Sequence, residues 1–463
     1  MNKIHIILIL FVFILSTLSC SKEVNSYLEN DSSVTDSDTP SYIIEQNKWT
    51  YSMMHYHYYW TSELKDSLAY DYETSSTSFF DSLLSENDRF SWITKNSSYN
   101  GGSASLYDQY GLHLQSYTTP LGVEVHRILH AIPDYPAYKQ GFRRGDWIRI
   151  NESYASPNTQ HAISIEKGCI NDNEYSPIET SQIMSYFGYD STKCYSVSVD
   201  SIYLINNKKI GYFVYDKFMD NTSNQTWSVY RSELKYLFDG FKSANIDDLI
   251  IDLRYNSGGY VSICQFLCSL VLADELLGQI SGYQEYNEYI TQTIYDSTGN
   301  TEDFVYFSSK DDVANSNIGM RKVYVILTKD SYSASESLVN TLSAFIDVIV
   351  VGNNSGGKGV GSYTLANNNY MYQLQPITFR YYNKDHQTVP DEGITPDIFA
   401  DESLEETIYQ LGDTRELLLS KAIEDICGEQ TRSVGNITNG TLKLNPINNN
   451  QINNKANSGY IKY

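Results

Sequence analysis

Apolar and polar positions change rhythm several times along this chain. Ile4 to Leu15 is an apolar run broken only by His5. Between Glu45 and Ile93 large aromatics and leucines recur at spacings of three and four: Trp49, Tyr51, Tyr56, Tyr58, Tyr59, Trp60, then Phe79, Phe80, Leu83 and Leu84. That rhythm predicts two or three helices in a small domain over residues 45–98. Val123–Ile128 alternates like a strand, Pro136–Gly141 reads as a short helix ended by glycine, and Arg143–Ile150 turns into a second strand. A β-rich domain over residues 103–199 follows, with the polar stretch 152–181 read as an insertion. Strands then alternate with helices: Lys209–Tyr215, the amphipathic Val229–Ser243, Asp247–Arg254, the buried run Lys322–Thr328, a helix face at Leu338, Leu342 and Phe345, and Val348–Val351. This order predicts an α/β sheet domain over residues 200–428. The Asn-rich tail, 429–463, has little apolar periodicity and reads as disordered or loosely docked. The whole is an α+β multidomain chain.

Candidate chemistry gathers around Asp330–Ser337 and Lys358. Ser333 falls between a strand and a helix, where unpaired backbone N–H groups favour nearby negative charge, the setting a serine nucleophile needs for its oxyanion. The same four residues, Ser333-Ala-Ser-Glu336, also match a capping box, and that bland reading fits Glu336 best. Gly258 and Gly259 close a predicted strand, either as a tight turn or as backbone donors presented at close range. Lys358 sits between glycines on a loop that lacks the pattern of a phosphate-binding loop.

Composition narrows the classes. A formal charge of -23 argues against nucleic-acid binding, and with 463 residues there is room for two or three cores. Cys264 and Cys268, four apart, read as core positions of one helix, and His55 and His57, two apart, point to different helix faces and cannot share a metal. Cys169 and Cys194 could pair in an exported protein. No metal or cofactor is called for. Lys3, the apolar run and the small residues before Cys20 form an export signal over residues 1–19. Its end resembles a bacterial lipobox, although Thr17 and Leu18 replace the usual pair. That resemblance implies Cys20 as a lipidated first residue, a flexible tether over 20–44, and a protein exported to the cell envelope and held at a membrane by its N-terminal lipid.

The order short helix, Gly141, then Gly145-Asp146 and a strand resembles a PDZ domain. By that resemblance Gly111, Leu112 and His113 would form the loop that receives a peptide C-terminus, with His113 standing where a small residue is common. Asp252-Leu-Arg-Tyr-Asn-Ser-Gly-Gly259, Ser331-Tyr-Ser-Ala-Ser-Glu336, Gly357-Lys-Gly359 and Gly393-Ile-Thr-Pro-Asp397, in this order, resemble the signatures of the C-terminal processing peptidases, or tail-specific proteases. The likeness covers residues 45 to 428. It implies a helical segment, a PDZ domain and a sheet-based core of the ClpP/crotonase-like kind. It also implies a Ser–Lys endopeptidase acting on unfolded or C-terminally recognised polypeptides. Ser333 would be the nucleophile and Lys358 the general base, with Ala334 and Gly258 (or Gly259) as oxyanion donors. Glu336 would play a supporting part. Ser362 stands where many members place a lysine-orienting glutamine. Two alternatives compete: an inactive peptide-binding lipoprotein of the same fold, and a Ser-His-Asp hydrolase using His386 or His113, for which the G-x-S-x-G motif is absent.

Overall fold

The structure is a computed structural model that describes residues 40–95, 110–156, 159–179, 181–185, 196–220, 228–367, 372–428 and 444–446. The expected export signal, Cys20, most of the tether and Cys194 lie outside the described residues. The described residues from Ser41 onward belong to one compact unit.

At its centre is a six-stranded sheet in the order Ile398–Phe399, Asp347–Gly352, Lys322–Leu327, Asp248–Asp252, Lys208–Tyr215, Val197–Ile205. All neighbours are parallel except the last pair, which is antiparallel. Parallel strands are joined by helices that return across a sheet face, so both faces are covered and the strands read as continuous apolar runs. Alternation within those runs sorts the side chains. Leu249, Ile251, Val323, Val325 and Leu327 pack against helices Val229–Ala244, Val261–Val271 and Ala334–Ser343. Ile250, Tyr324 and Ile326 face the opposite way, onto helix Leu417–Cys427. Cys264 and Cys268 are buried on the first of these faces, as the spacing predicted. The helix after Ser333 ends at Ser343, so Phe345 packs on the core from just beyond it.

The strands Asp248–Asp252, Lys322–Leu327 and Asp347–Gly352 end almost level, with Asp252 beside Ile326 and Leu327 beside Gly352. The loops leaving those three ends carry the Gly-Gly pair, Ser333 and Lys358. Ligand sites of open parallel sheets form at this carboxyl edge.

A second, four-stranded antiparallel sheet runs Asp303–Tyr306, Ile280–Tyr286, Ile377–Asn383, Val360–Ser362, so Lys358 passes from its loop directly into an edge strand. The N-terminal helical region is tied to this layer. Its first helix, Ser41–His57, begins inside what the sequence reads as tether. Met54, Tyr58, Phe79, Phe80 and Leu83 share one core with Val360, Leu374 and Ile377. Strand Trp92–Lys95 then pairs antiparallel with Tyr372–Gln375.

The β-rich region forms a third sheet built on Leu112–Thr118, Glu124–Ala131, Trp147–Ser156 and Thr159–Asn171, with the short helix Pro136–Lys139 beside it. Residues 152–181, expected as an insertion, continue the ladder: Trp147–Ser156 and Thr159–Asn171 pair from Trp147–Gly168 out to Ser156–Thr159, and Glu174–Pro177 adds a further strand. The tail is also not wholly loose. Asn445–Pro446 pairs with Tyr117 and Thr118, and Leu444 is buried against Tyr117 and Val125. Cys169 carries a free thiol.

Candidate active site

Three loops meet at the carboxyl edge, and hydrogen bonds lace them together. Ser331 Oγ donates to Leu253 O at 2.8 Å, Tyr332 N–H to Asn256 O at 3.2 Å, and Ser335 Oγ to the same carbonyl at 2.8 Å. On the other side Gly356 N–H donates to Ser331 O at 2.9 Å. The Ser333 turn is thus fixed between the Gly-Gly loop and the lysine loop.

Ser333 itself has φ 55° and ψ −113°, a conformation costly for a residue with a side chain. Such strain of about 1–3 kcal/mol persists only where the surroundings over-determine it, and a strained strand-to-helix serine is a known way to expose Oγ. Gly258 makes room for it: a Cβ there would lie 2.9 Å from Ser333 Cβ and 2.9 Å from Tyr332 O. Gly356 is required for a similar reason, since a Cβ would sit inside the Tyr332 ring.

Glu336 does more than cap the helix. Its side chain is fully buried and accepts from Ser333 N–H at 2.8 Å, Gly357 N–H at 2.7 Å, Lys358 N–H at 2.8 Å and Ser355 Oγ at 2.5 Å. One carboxylate therefore clamps the nucleophile turn to the lysine loop. Burial raises its pKa while those four donors pull the other way, and the net shift is upward.

Lys358 is 5% exposed. Burial lowers its pKa to about 8, against the opposing pull of the Asp88 and Glu336 carboxylates. Its amine makes no hydrogen bond among the described residues, to Ser333 or any other group; Nζ lies 5.0 Å from the centre of the Phe90 ring. Ser362 makes no hydrogen bond to it among the described residues; its hydroxyl accepts from Gln375 Nε2 at 2.8 Å.

Of the expected oxyanion donors, Ala334 N–H has no partner among the described residues and opens the helix. Gly258 N–H is engaged in an Asx turn with Asn256 Oδ1 at 2.8 Å, whereas Gly259 N–H, the alternative, has no such partner among the described residues. A small pocket beside Ser333 and Ala334 is lined by Val261, Cys264, Val360, Phe379 and Tyr381.

Of the other candidates, Gly111–His113 meet the serine loop at Asp330, and His386 sits apart. Leu112 is buried in its strand, Gly111 O accepts from Ile132 N–H at 2.9 Å, and His113 reaches Asp330 Oδ2 at 3.2 Å while stacking on Tyr255 at 4.4 Å. Burial would raise the Asp330 carboxyl, but His113 and Lys329 outweigh it and hold it low. His386 is exposed and bonds Tyr283 OH. Among the described residues no group of three or more His, Cys, Asp or Glu is placed to hold a metal, and no helix is long and apolar enough to cross a membrane.

Sequence reasoning missed the polar cluster beneath the Gly-Gly loop. Arg254 is fully buried and bonds Asp252 at 2.7 Å, Glu416 at 2.7 and 2.8 Å and Glu402 at 3.1 Å. Arg144, arriving from the β-rich region, joins Glu402, Glu416 and Tyr255 OH. A buried arginine holds its charge only if such partners surround it. The motif Asp252-Leu-Arg254 was the available signal, but its partners lie about 150 residues away in sequence.

A strained serine opening a helix at the edge of a parallel sheet, beside a carboxylate-clamped lysine loop, marks the class of serine-type peptidases. Two family descriptions match the chain: Peptidase S41 N-terminal domain over residues 45–92 and Peptidase family S41 over residues 209–400, together just over half of it. The chain belongs to peptidase family S41 and is a serine-type hydrolase. Among solved structures it is similar to an S41 protease assignment from Bacteroides fragilis NCTC 9343, with 22% identity and a TM-score of 0.65 over 82% of this chain and 97% of that one. At that identity the likeness concerns the fold. A photosystem II D1 C-terminal processing protease also matches, at 14% identity and a TM-score of 0.46 over 77% of this chain and 93% of that one. No curated protein matches by sequence.

Proposed function

We propose that this peptidase is an endopeptidase in which Ser333 and Lys358 act as a dyad on unfolded or C-terminally recognised polypeptides. The observation that carries this reading is the buried Lys358 amine, lowered to about 8, on a loop clamped to the Ser333 turn by Glu336. An amine with that pKa is partly neutral near pH 7 and can accept a proton, which an exposed lysine near 10.5 cannot do efficiently. Rotation of the long lysine side chain away from Phe90 brings Nζ to Ser333 Oγ when substrate enters; general bases are commonly out of reach before substrate binds. Lys358 then takes the Oγ proton as Oγ attacks the scissile carbonyl carbon. The resulting oxyanion lies against Ala334 N–H and Gly259 N–H, with Gly258 N–H available if its Asx turn opens. Collapse of the tetrahedral adduct breaks the C–N bond, and the proton passes from Lys358 to the leaving amine. A water then repeats the sequence on the acyl-enzyme and restores Ser333. The pocket of Val261, Cys264, Val360, Phe379 and Tyr381 suits a small apolar side chain next to the cleaved bond.

Gly111, Leu112 and His113 are the proposed receivers of the substrate C-terminus, and the export signal with Cys20 supports an envelope location on a lipid anchor. The test compares degradation of an unfolded protein bearing an apolar C-terminus by wild type, Ser333→Ala and Lys358→Ala. Both variants should be inert while keeping native circular dichroism. Full turnover by Lys358→Ala would refute the dyad.

A further inference from the structure

The residue that the resemblance would give for orienting the lysine, Ser362, is occupied with Gln375, and the amine has no hydrogen-bond partner among the described residues. Something else must hold it. We infer that the Asp88–Ser91 turn of the N-terminal helical region is the positioning element for the general base, with the Phe90 ring as the surface on which the Lys358 amine rests. The inference builds on the Ser–Lys reading.

The turn is built to be rigid. Asp88 Oδ1 accepts from Phe90 N–H and Ser91 N–H, both at 2.9 Å, and its Oδ2 accepts from Tyr58 OH at 2.8 Å. Ser91 Oγ accepts from Ile377 N–H at 2.8 Å, fastening the turn to the sheet that Lys358 enters. From this base Arg89 reaches across the lysine loop. Its guanidinium donates to Gly357 O, the carbonyl just before Lys358, and to Asp391 O at 2.9 Å. The same guanidinium lies 4.8 Å from the Phe90 ring centre, so the ring is steadied on its own turn while it carries the lysine amine at 5.0 Å.

A ring face is chemically suited to the task. An acceptor such as a carboxylate would bind the ammonium strongly and keep it protonated. The π face attracts a cation more weakly and forms no bond that must break before the neutral amine turns to Ser333. The carboxylates facing the amine, Asp88 from the turn and Glu336 from the nucleophile helix, both have their oxygens engaged by other donors. Burial by the turn supplies the desolvation, and the ring supplies the direction.

The test reads the amine itself. In a Ser333→Ala background, acylation of Lys358 by acetic anhydride is followed by mass spectrometry across pH 6 to 11, for Phe90, Phe90→Leu, Phe90→Ala and Phe90→Tyr; kcat and KM are measured for the same Phe90 variants with Ser333 intact. Phe90→Leu keeps the burial but lacks the π face, so its labelling midpoint should fall by about half to one pH unit. Phe90→Ala admits water, so its midpoint should rise towards that of an exposed lysine. Its kcat should fall at least about tenfold while KM changes less than about threefold. Phe90→Tyr should restore both. Midpoints that stay together in all four proteins, or a kcat loss in Phe90→Ala unaccompanied by a midpoint shift, would overturn the inference. Should Phe90→Ala fail to fold, Phe90→Leu decides alone. Because labelling needs no turnover, its result stands apart from a failure of the dyad, which persistent proteolysis by Lys358→Ala would reveal.

Discussion

Ser333 and Lys358 are almost equally hidden, at 4% and 5% exposure, yet different forces hold them. The serine sits in a backbone conformation that hydrogen bonds impose: Glu336 on its own N–H, Asn256 O on Tyr332 and Ser335, and Gly356 on Ser331. The lysine backbone shares that clamp through Glu336, but its functional atom is held by exclusion of water and by an aromatic face. In the proposed dyad the difference follows from what each group must do. A nucleophile benefits from one fixed approach line, and backbone bonds supply it. A lysine base must be kept unprotonated, and every strong acceptor placed on it would favour the wrong protonation state.

The sharpest way to break this contrast is to delete each member. Ser333→Ala and Lys358→Ala should each lower kcat by at least about a thousandfold. Lys358→Arg should be equally inactive, because a guanidinium does not give up its proton. Steady-state kinetics on an unfolded substrate would check all three.

Glu336→Gln attacks what the two sides share. A glutamine oxygen cannot serve four donors, and its NH₂ would face two of them, so about 2–4 kcal/mol of stability should be lost. kcat should fall roughly a hundredfold as both loops relax. Ser355→Ala removes one of the four donors and the acceptor of Ile394 N–H, and should cost about 1–3 kcal/mol, which thermal unfolding would resolve.

Dependence on pH separates the two sides further. In the proposed dyad neutral Lys358 is the active form, so kcat/KM should rise roughly tenfold per unit as pH approaches about 8 and level off above it. The stability sign is the reverse of an ion-paired lysine. The folded state releases this proton near 8 and the unfolded chain near 10.5, so between those values the unfolded chain binds more protons and stability rises with pH. The same cost predicts that Lys358→Met should be more stable than wild type at pH 7 by up to about 3 kcal/mol, seen as a higher Tm.

The sequence determined the elements and the candidate residues that the proposal rests on, because both are written in local patterns. Strand runs such as Asp248–Asp252 and Lys322–Leu327 are apolar throughout because parallel strands are covered on both faces, and the serine, lysine and paired glycines sit in short motifs at strand ends. The sequence did not determine what surrounds those residues. Glu336 looks like a cap because three of its four donors lie beyond its own turn or on another loop, and the Asp88–Ser91 turn stands some 270 positions from the lysine it shields. The stretch 152–181 reads as a polar insertion, yet its described residues pair as strands that bury Ile163 and Ile165 with Ile128 and Ile148, partners set by the ladder and not by local pattern. Tertiary structure decided these matters for one reason. Burial and the pKa it sets are properties of three-dimensional neighbours, which a chain read in order does not display.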